Sequence, residues 1–278
     1  MQKELFHFAV LGGDQRQKWL AMGLMEAGYP TMTCSVPEMP SCALQEALSQ
    51  ADVVVLPLPA FSPNGTMTSQ DGTQITADEI LAGLRANTRI FGGRLQGAAG
   101  KFHNAGFSPV DYMALEAVAA ANAVPTAEGA IQIAMARMKI TLQGSRCLVI
   151  GWGRIGKILA RKLQLLGALV TVAVRHPADA AMVRALGMQS DTTGIYRAGL
   201  SYDLVLNTVP APVLDQAALE LTRPDVLILD LASSPGGVDF SAAQRLGRTA
   251  IAALGLPGKT APKTAGYIIK DALLAYLQ

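Results

Sequence analysis

The chain has 278 residues, half of them apolar and 16% charged, with 23 Lys and Arg against 21 Asp and Glu for a formal charge of +2. That is about twice the usual domain length and favours two domains, each large enough to bury its own core. Basic residues are scattered without a basic block or a basic-aromatic run, which argues against a nucleic-acid surface, and no uninterrupted apolar run approaches the roughly 18 residues of a membrane helix.

In chain order, "MQKELFHFAVLGGDQR" carries a short apolar run broken by His7 and closed by Asp14 and Arg16. It reads as a first strand and not as a signal peptide, so a cytoplasmic protein is expected. A helix "DQRQKWLAMGLMEAG" closed by Gly28 follows, then strands at "TMTCSV" and "ADVVVLPLP". The stretch "PAFSPNGTMTSQDGTQIT" is rich in Gly, Pro, Ser and Thr and reads as a loop hanging from a strand end. "TRIFGG" is a further strand.

The segment "PTAEGAIQIAMARMK" reads as a linker helix, with Thr126 as its N-cap, Glu128 in the first turn, and Ile131, Met135 and Met138 on one face. A second series of strands is expected at Arg146 to Ile150, Leu169 to Val174, Asp203 to Leu206, Val226 to Asp230 and Thr249 to Ala252. Alternating strands and helices mean α/β architecture, here two doubly wound domains. Cys34, Cys42 and Cys147 are odd in number and form no CxxC pair, so they read as reduced packing residues, with no metal expected.

Chemistry enters at "RCLVIGWGRIGKILARKLQLLG". Gly151 suits a tight turn, Gly153 a close approach of backbone amides to a diphosphate, and Gly156 close packing of helix on strand. A lone GxGxxG is a weak signal, but the flanking strand and helix agree with a dinucleotide site. Where an NAD site often carries an acid, this chain has Val174, Arg175 and His176. A guanidinium there attracts a 2′-phosphate, so NADP is the expected cofactor; the competing reading of Arg175 is a solvated turn residue. The strand ends "NTVPAP" and "LILDLASSPGGVDF" fall where a nicotinamide would lie.

Two anion sites are candidates: Gly12, Gly13 and Arg16 in "LGGDQRQK", and Lys259 with Lys263 near a helix started by Thr264 or its neighbours. Their facing one another across a domain cleft would suit a dicarboxylate. No catalytic constellation is evident. His103, with its unperturbed pKa near neutrality, and the carboxylates Asp14 and Glu128 are weak candidates, each with a plainer surface or helix-start reading.

"LGGDQRQ", "PTAEGAI", "GWGRIGK", "NTVPAPVLD", "LILDLASSPGGVDF" and "LGLPGKTAPKTAG" together closely resemble the family of A-type dipicolinate synthase subunits of spore-forming bacteria. The resemblance runs from about residue 6 to the end, with no distinctive match over roughly residues 60 to 110. It implies a fold like that of formate and glycerate dehydrogenases, with the C-terminal helix returning to the N-terminal domain. Residues 1–121 with 262–278 would form a flavodoxin-like substrate-side domain, and 122–261 the Rossmann NADP-binding domain with its parallel sheet. The implied reaction is NADP-dependent oxidation of dihydrodipicolinate, formed from hydroxy-tetrahydrodipicolinate, to dipicolinate for the spore. The implied setting is the mother-cell cytoplasm, with a second, B-type dipicolinate synthase subunit and homo-oligomerisation. By position, Gly151, Gly153, Arg154, Ile155 and Gly156 would hold the diphosphate and Arg175 the 2′-phosphate. Thr208, Val209, Pro210, Ala232 and Ser233 would line the nicotinamide side; Gly13, Asp14, Arg16, Lys263 and Thr264 would face substrate. Two alternatives stay open: another NADP-dependent oxidoreductase of a small carboxylic acid, or a non-catalytic NADP-binding subunit.

Overall fold

Short apolar strands buried along their whole length need cover on both faces, and both main sheets of the computed structural model are built that way. Residues 5–69, 72–95, 98–192 and 201–278 are described. The chain divides into two compact units, Met1–Asn122 with Ala261–Gln278, and Ala123–Thr260.

The first unit runs β1 (Phe8–Leu11), α1 (Gln15–Glu26), β2 (Thr31–Cys34), α2 (Leu44–Gln50), β3 (Val53–Val55), β4 (Thr66–Thr68), β5 (Gln74–Thr76), α3 (Ala77–Gly83), β6 (Arg89–Gly92), α4 (Ala99–Asn104), β7 (Val110–Asp111) and α5 (Glu116–Ala121). Its main sheet is parallel in the order β2-β1-β3-β6-β7. Successive side chains of a strand point to opposite faces. Ala9 and Leu11 therefore join Val54, Ile80 and Ile90 on one side, while Phe8 and Val10 join Val55, Phe91 and Leu20 on the other. The last helix, Pro262–Leu277, lies along α1 and buries Ile269 and Leu273 on that second side. Contact is closest at Gly266, where a Cβ would stand 2.6 Å from the Arg16 carbonyl oxygen and 2.8 Å from the Leu20 nitrogen.

The stretch expected as a bare loop contains the antiparallel hairpin β4-β5, paired Thr66 to Thr76 and Met67 to Ile75. Met67 and Ile75 are buried, and single apolar residues between polar ones suffice when they cap an existing core. Gln70 and Asp71 of that stretch, like the first four residues of the N-terminal one, lie outside the described residues.

The second unit runs α6 (Ala123–Arg137), β8 (Arg146–Ile150), α7 (Arg154–Leu165), β9 (Leu169–Val174), α8 (Pro177–Ala185), β10 (Gln189–Thr192), β11 (Leu204–Asn207), α9 (Gln216–Glu220), β12 (Leu227–Asp230), α10 (Phe240–Arg245), β13 (Thr249–Ala252) and α11 (Leu256–Thr260). The parallel order β10-β9-β8-β11-β12-β13 is that of a dinucleotide-binding fold, reversing direction between β8 and β11. Cys147 and Val149 face one side, Leu148 and Ile150 the other.

Two expectations for α6 change. It begins at Ala123, so Thr126 lies inside its first turn and does not cap it. Met135 is 64% exposed, and the buried stripe is Ala127, Ala130, Ile131 and Ala134. Small side chains are needed there because α11 approaches closely: a Cβ on Gly129 would lie 3.0 Å from Leu256 Cβ. The edge strand β10 was not expected, since "QSDT" has no apolar run to mark it.

Gly266→Ala tests the helix contact. Helix propensity alone favours Ala by about 1 kcal/mol, whereas overpacking against backbone costs about 1–3 kcal/mol. The expected outcome is net destabilisation, measured by urea unfolding with Trp19 as reporter in a Trp152→Phe background.

Candidate functional site

At the point where the second sheet reverses strand order, β8 runs into the glycine loop. Gly151 has φ 101°, a conformation suited to glycine, and its amide donates to the Ala173 carbonyl at 2.9 Å. A Cβ on Gly151 would stand 2.5 Å from Thr208 Oγ1, and one on Gly156 would stand 2.2 Å from the Gly151 carbonyl oxygen. These two glycines are required by the protein's own packing. Gly153 is different: a Cβ there would meet nothing within 4 Å.

Gly153 is also the N-cap residue of α7, which has no side-chain capping bond and no acid in its first turn. Arg154 and Ile155 open the helix. A 12-residue helix whose N-cap residue supplies no side-chain oxygen can offer amides of its amino end and its positive dipole end to an anion. The open space over Gly153 is where a diphosphate fits, so the loop suits a dinucleotide.

The strand ends beside the loop are locked together. Asn207 pairs in register with Ile150 on one side and Asp230 on the other. Its Nδ2 donates to Asp230 Oδ1 at 2.8 Å and to the Val209 carbonyl at 2.9 Å, while its Oδ1 accepts from the Val209 amide at 3.0 Å. Asp230 Oδ1 also accepts from the Ala232 amide at 3.2 Å, and Oδ2 from the Gly237 amide at 2.9 Å. Asn207 is 0% and Asp230 3% exposed. Thr208 Oγ1 donates to the Ile150 carbonyl at 2.8 Å, tying the same loop to β8. Thr208 and Val209 are half-buried, Pro210 and Ser233 exposed, and Ala232 buried. Sequence reasoning assigned no role to Asn207 or Asp230; the available signal was a polar residue ending each of two otherwise apolar buried strands.

Arg175 sits in the turn between β9 and α8, exposed and paired with no described residue. Val174 before it is buried and His176 after it is the N-cap residue of α8, so no carboxylate ends β9.

In the first unit the sheet reverses order between β1 and β3. Gly12 and Gly13 turn at φ 52° and 86° into α1. Asp14 caps that helix, accepting the Arg16 amide at 2.9 Å, and also holds the Arg16 side chain through Nε at 2.9 Å and Nη2 at 2.7 Å. Nη2 donates further to the Leu58 carbonyl at 2.7 Å. Burial disfavours the charged guanidinium, but the Asp14 hydrogen bond and charge outweigh it and raise the Arg16 pKa. Arg16 is thus a fixed cation with Nη1 left without a described acceptor, and Asp14 is its counter-ion and a helix cap.

The remaining candidates are dispersed. Glu128 is ion-paired with Lys162 at 2.8 Å. His103 is exposed in the last turn of α4. Lys263 stands 4.8 Å above the Trp19 ring centroid, and Thr264 is exposed beside it. Lys259 lies in α11 of the other unit, so it and Lys263 do not belong to one unit. Burial pushes the Cys147 thiol up to about 11, which suits packing and not nucleophilic chemistry. Among the described residues no cluster of three or more metal-ligating side chains occurs, and no helix is long and apolar enough to cross a membrane.

Strand order, glycine loop and open helix end define the class: a two-unit protein built as the NAD(P)-dependent oxidoreductases are. A family model for the N-terminal domain of the A-type dipicolinate synthase subunits matches residues 7–113, including the stretch that carried no distinctive motif. The A-type dipicolinate synthase subunit of Bacillus subtilis (strain 168) is 32% identical over 280 residues, 95% of this chain and 93% of that one. The crystal structure of the corresponding dipicolinate synthase subunit from Bacillus halodurans superposes with a TM-score of 0.91 at 28% identity, covering 98% of this chain and 97% of that one. A D-lactate dehydrogenase from Salmonella shares the fold, with a TM-score of 0.63 at 14% identity over 98% and 96% of the two chains. The chain belongs to the family of A-type dipicolinate synthase subunits.

Gly153→Val separates cofactor from packing. No protein atom beyond its chain neighbours lies within 4 Å of a Cβ at Gly153, so the unfolding transition should stay in place while binding of NADP(H), followed by nicotinamide fluorescence, is lost.

Proposed function

We propose that the chain catalyses NADP-dependent oxidation of dihydrodipicolinate, formed by dehydration of 4-hydroxy-tetrahydrodipicolinate, to pyridine-2,6-dicarboxylate. The observation that carries this reading is the open glycine loop next to a strand end bearing Arg175 in place of an acid, in a chain of this family. When bound, the nicotinamide supplies a hydride acceptor. The ring loses a hydride and a proton and becomes aromatic, so much of the driving force lies in the product. The protein's task is then to bind and orient.

Each unit has a part in this. In the second, the amides of Gly153, Arg154, Ile155 and Gly156 hold the diphosphate and Arg175 the 2′-phosphate. Thr208, Val209, Pro210, Ala232 and Ser233 shape the nicotinamide side, held by the Asn207–Asp230 pair. In the first, Gly13, Asp14 and Arg16 form the carboxylate end, with Lys263 and Thr264 adding positive charge and a helix start. The free Nη1 of Arg16 is suited to a substrate carboxylate because the rest of that side chain is already immobilised. The relatives are named as one subunit of a synthase, and a B-type partner chain is part of the proposal.

A hydroxy-acid dehydrogenase mechanism would use a His-carboxylate pair. Here His7 and Asp52, 3.9 Å apart, lie at the amino ends of β1 and β3, the opposite edge from Gly13 and Arg16.

Purified chain mixed with NADP and freshly prepared hydroxy-tetrahydrodipicolinate, with and without the B-type partner, should form NADPH and pyridine absorbance in step. NADPH without the pyridine product would overturn the substrate. Calorimetry should show preference for NADP(H) over NAD(H), with Arg175→Ala narrowing the gap by about 1.5–3 kcal/mol; equal affinity of the unaltered chain for both would remove the NADP assignment.

A further inference from the structure

Among the described residues, Ser35, Glu38 and Arg94 hold left-handed backbone conformations without being glycine, with φ 55°, 55° and 53°. Such conformations are disfavoured for side chains with a Cβ and persist where the surroundings impose them. Glu38 has a local partner set, its carboxylate bound by Gln15 Nε2 at 2.7 Å and by Lys18 Nζ. Ser35 is uncharged, and its amide donates to Ser41 Oγ at 3.0 Å. Arg94 is exposed, and its guanidinium pairs with no described residue.

The backbone of Arg94 is nonetheless fixed. Its amide donates to Asp111 Oδ1 at 3.1 Å, and the same oxygen accepts the Met113 amide at 2.9 Å. Gly93 just before it is buried at the carboxyl end of β6, where a Cβ would stand 2.6 Å from Leu58 Cδ1 and 2.8 Å from a ring carbon of Tyr112. Leu58 is the residue whose carbonyl accepts Arg16 Nη2. Leu58, following β3, therefore lies between the first turn of α1, which carries Arg16, and the turn after β6, which carries Arg94. They leave the same edge of one parallel sheet, from β1 and β6 with β3 between them. One guanidinium is immobilised with Nη1 open, and the other, with no described partner, rides on a backbone held in a strained turn.

We propose that Arg94 is a substrate-binding residue that takes the second carboxylate of a planar dicarboxylate whose first carboxylate is bound at Arg16, and so sets the preference for two carboxylates over one. This rests on the dicarboxylate reading of the first unit. Guanidinium and carboxylate match in geometry and charge, and a cation held by backbone bonds alone leaves its whole fork for the ligand. A strained backbone persisting at a site where glycine would relieve it is accounted for by the need for that side chain.

Arg94→Gly removes the charge and suits the φ of 53°. Binding of pyridine-2,6-dicarboxylate and of pyridine-2-carboxylate is measured by calorimetry on the full chain with NADPH present. The unaltered chain should prefer the dicarboxylate. Arg94→Gly should weaken the dicarboxylate by roughly 10- to 100-fold, leave the monocarboxylate and NADPH unchanged, and unfold at the same or a higher temperature; Arg94→Lys should restore part of the preference. Unchanged dicarboxylate affinity in Arg94→Gly overturns the proposal, as does a lowered unfolding temperature or an equal loss for both ligands. If the unaltered chain binds NADPH but neither ligand, the dicarboxylate reading falls and takes this inference with it. Loss of discrimination in Arg94→Gly alone, with the unaltered chain discriminating, bears on Arg94 specifically.

Discussion

The buried pair of Asn207 and Asp230 is the constraint on which the cofactor side depends. Two strands that carry only apolar side chains through the centre of the sheet each end on a polar group with almost no access to water. A buried carboxylate is costly unless its lone pairs are filled. Here both oxygens are filled, by one side-chain amide from the end of β11 and two backbone amides from the loop after β12. The Asn207 side chain in turn spends both of its polar ends on the loop that follows it. Ordering these loops before any ligand arrives lowers the entropic cost of binding.

The same economy of space governs the glycines. A Cβ on Gly237 would lie 2.3 Å from Asn207 Nδ2 and 2.7 Å from the Val209 carbonyl oxygen, so the two loops are in contact through backbone. Gly156 meets the Gly151 carbonyl and Gly151 meets Thr208 in the same way. Gly153 belongs to no such contact, and that absence is informative. Packing leaves the space over it open, which is what the proposed diphosphate position needs. In the first unit the corresponding order comes from charge: Asp14 aligns Arg16, and Arg16 reaches Leu58 across the reversal of strand order.

The alternation of strand and helix was legible because it follows from local periodicity. "RCLVI" and "LVLN" are apolar through and through, and burial on both faces is what such runs need. The hairpin β4-β5 was not legible, since Met67 and Ile75 are lone apolar residues in a polar stretch and are buried by a core that other segments supply. The α6 stripe misled for a related reason. Met135 has the spacing of a core residue, but the face was set by where α7 and α11 pack, which favours alanine and glycine. Of the site, the diphosphate loop was visible as a motif. Arg94 was not, because an arginine in a loop carries no signal until its backbone angles and its neighbours Leu58 and Asp111 are known.

The sequence by itself determined the alternation of the apolar strands with helices, the place of the glycine turn and the absence of an acid at the end of β9, because each depends on residues adjacent along the chain. Tertiary structure alone decided that Asn207 and Asp230 meet, that Asp14 serves Arg16 as counter-ion, and that Arg16 and Arg94 leave one sheet edge around Leu58. Those contacts join residues 23, 2 and 42 positions apart where hydrogen bonds link them. The longer ones exist because parallel pairing brings the carboxyl ends of separate strands together. Local periodicity carries no information about which loops a sheet will place side by side.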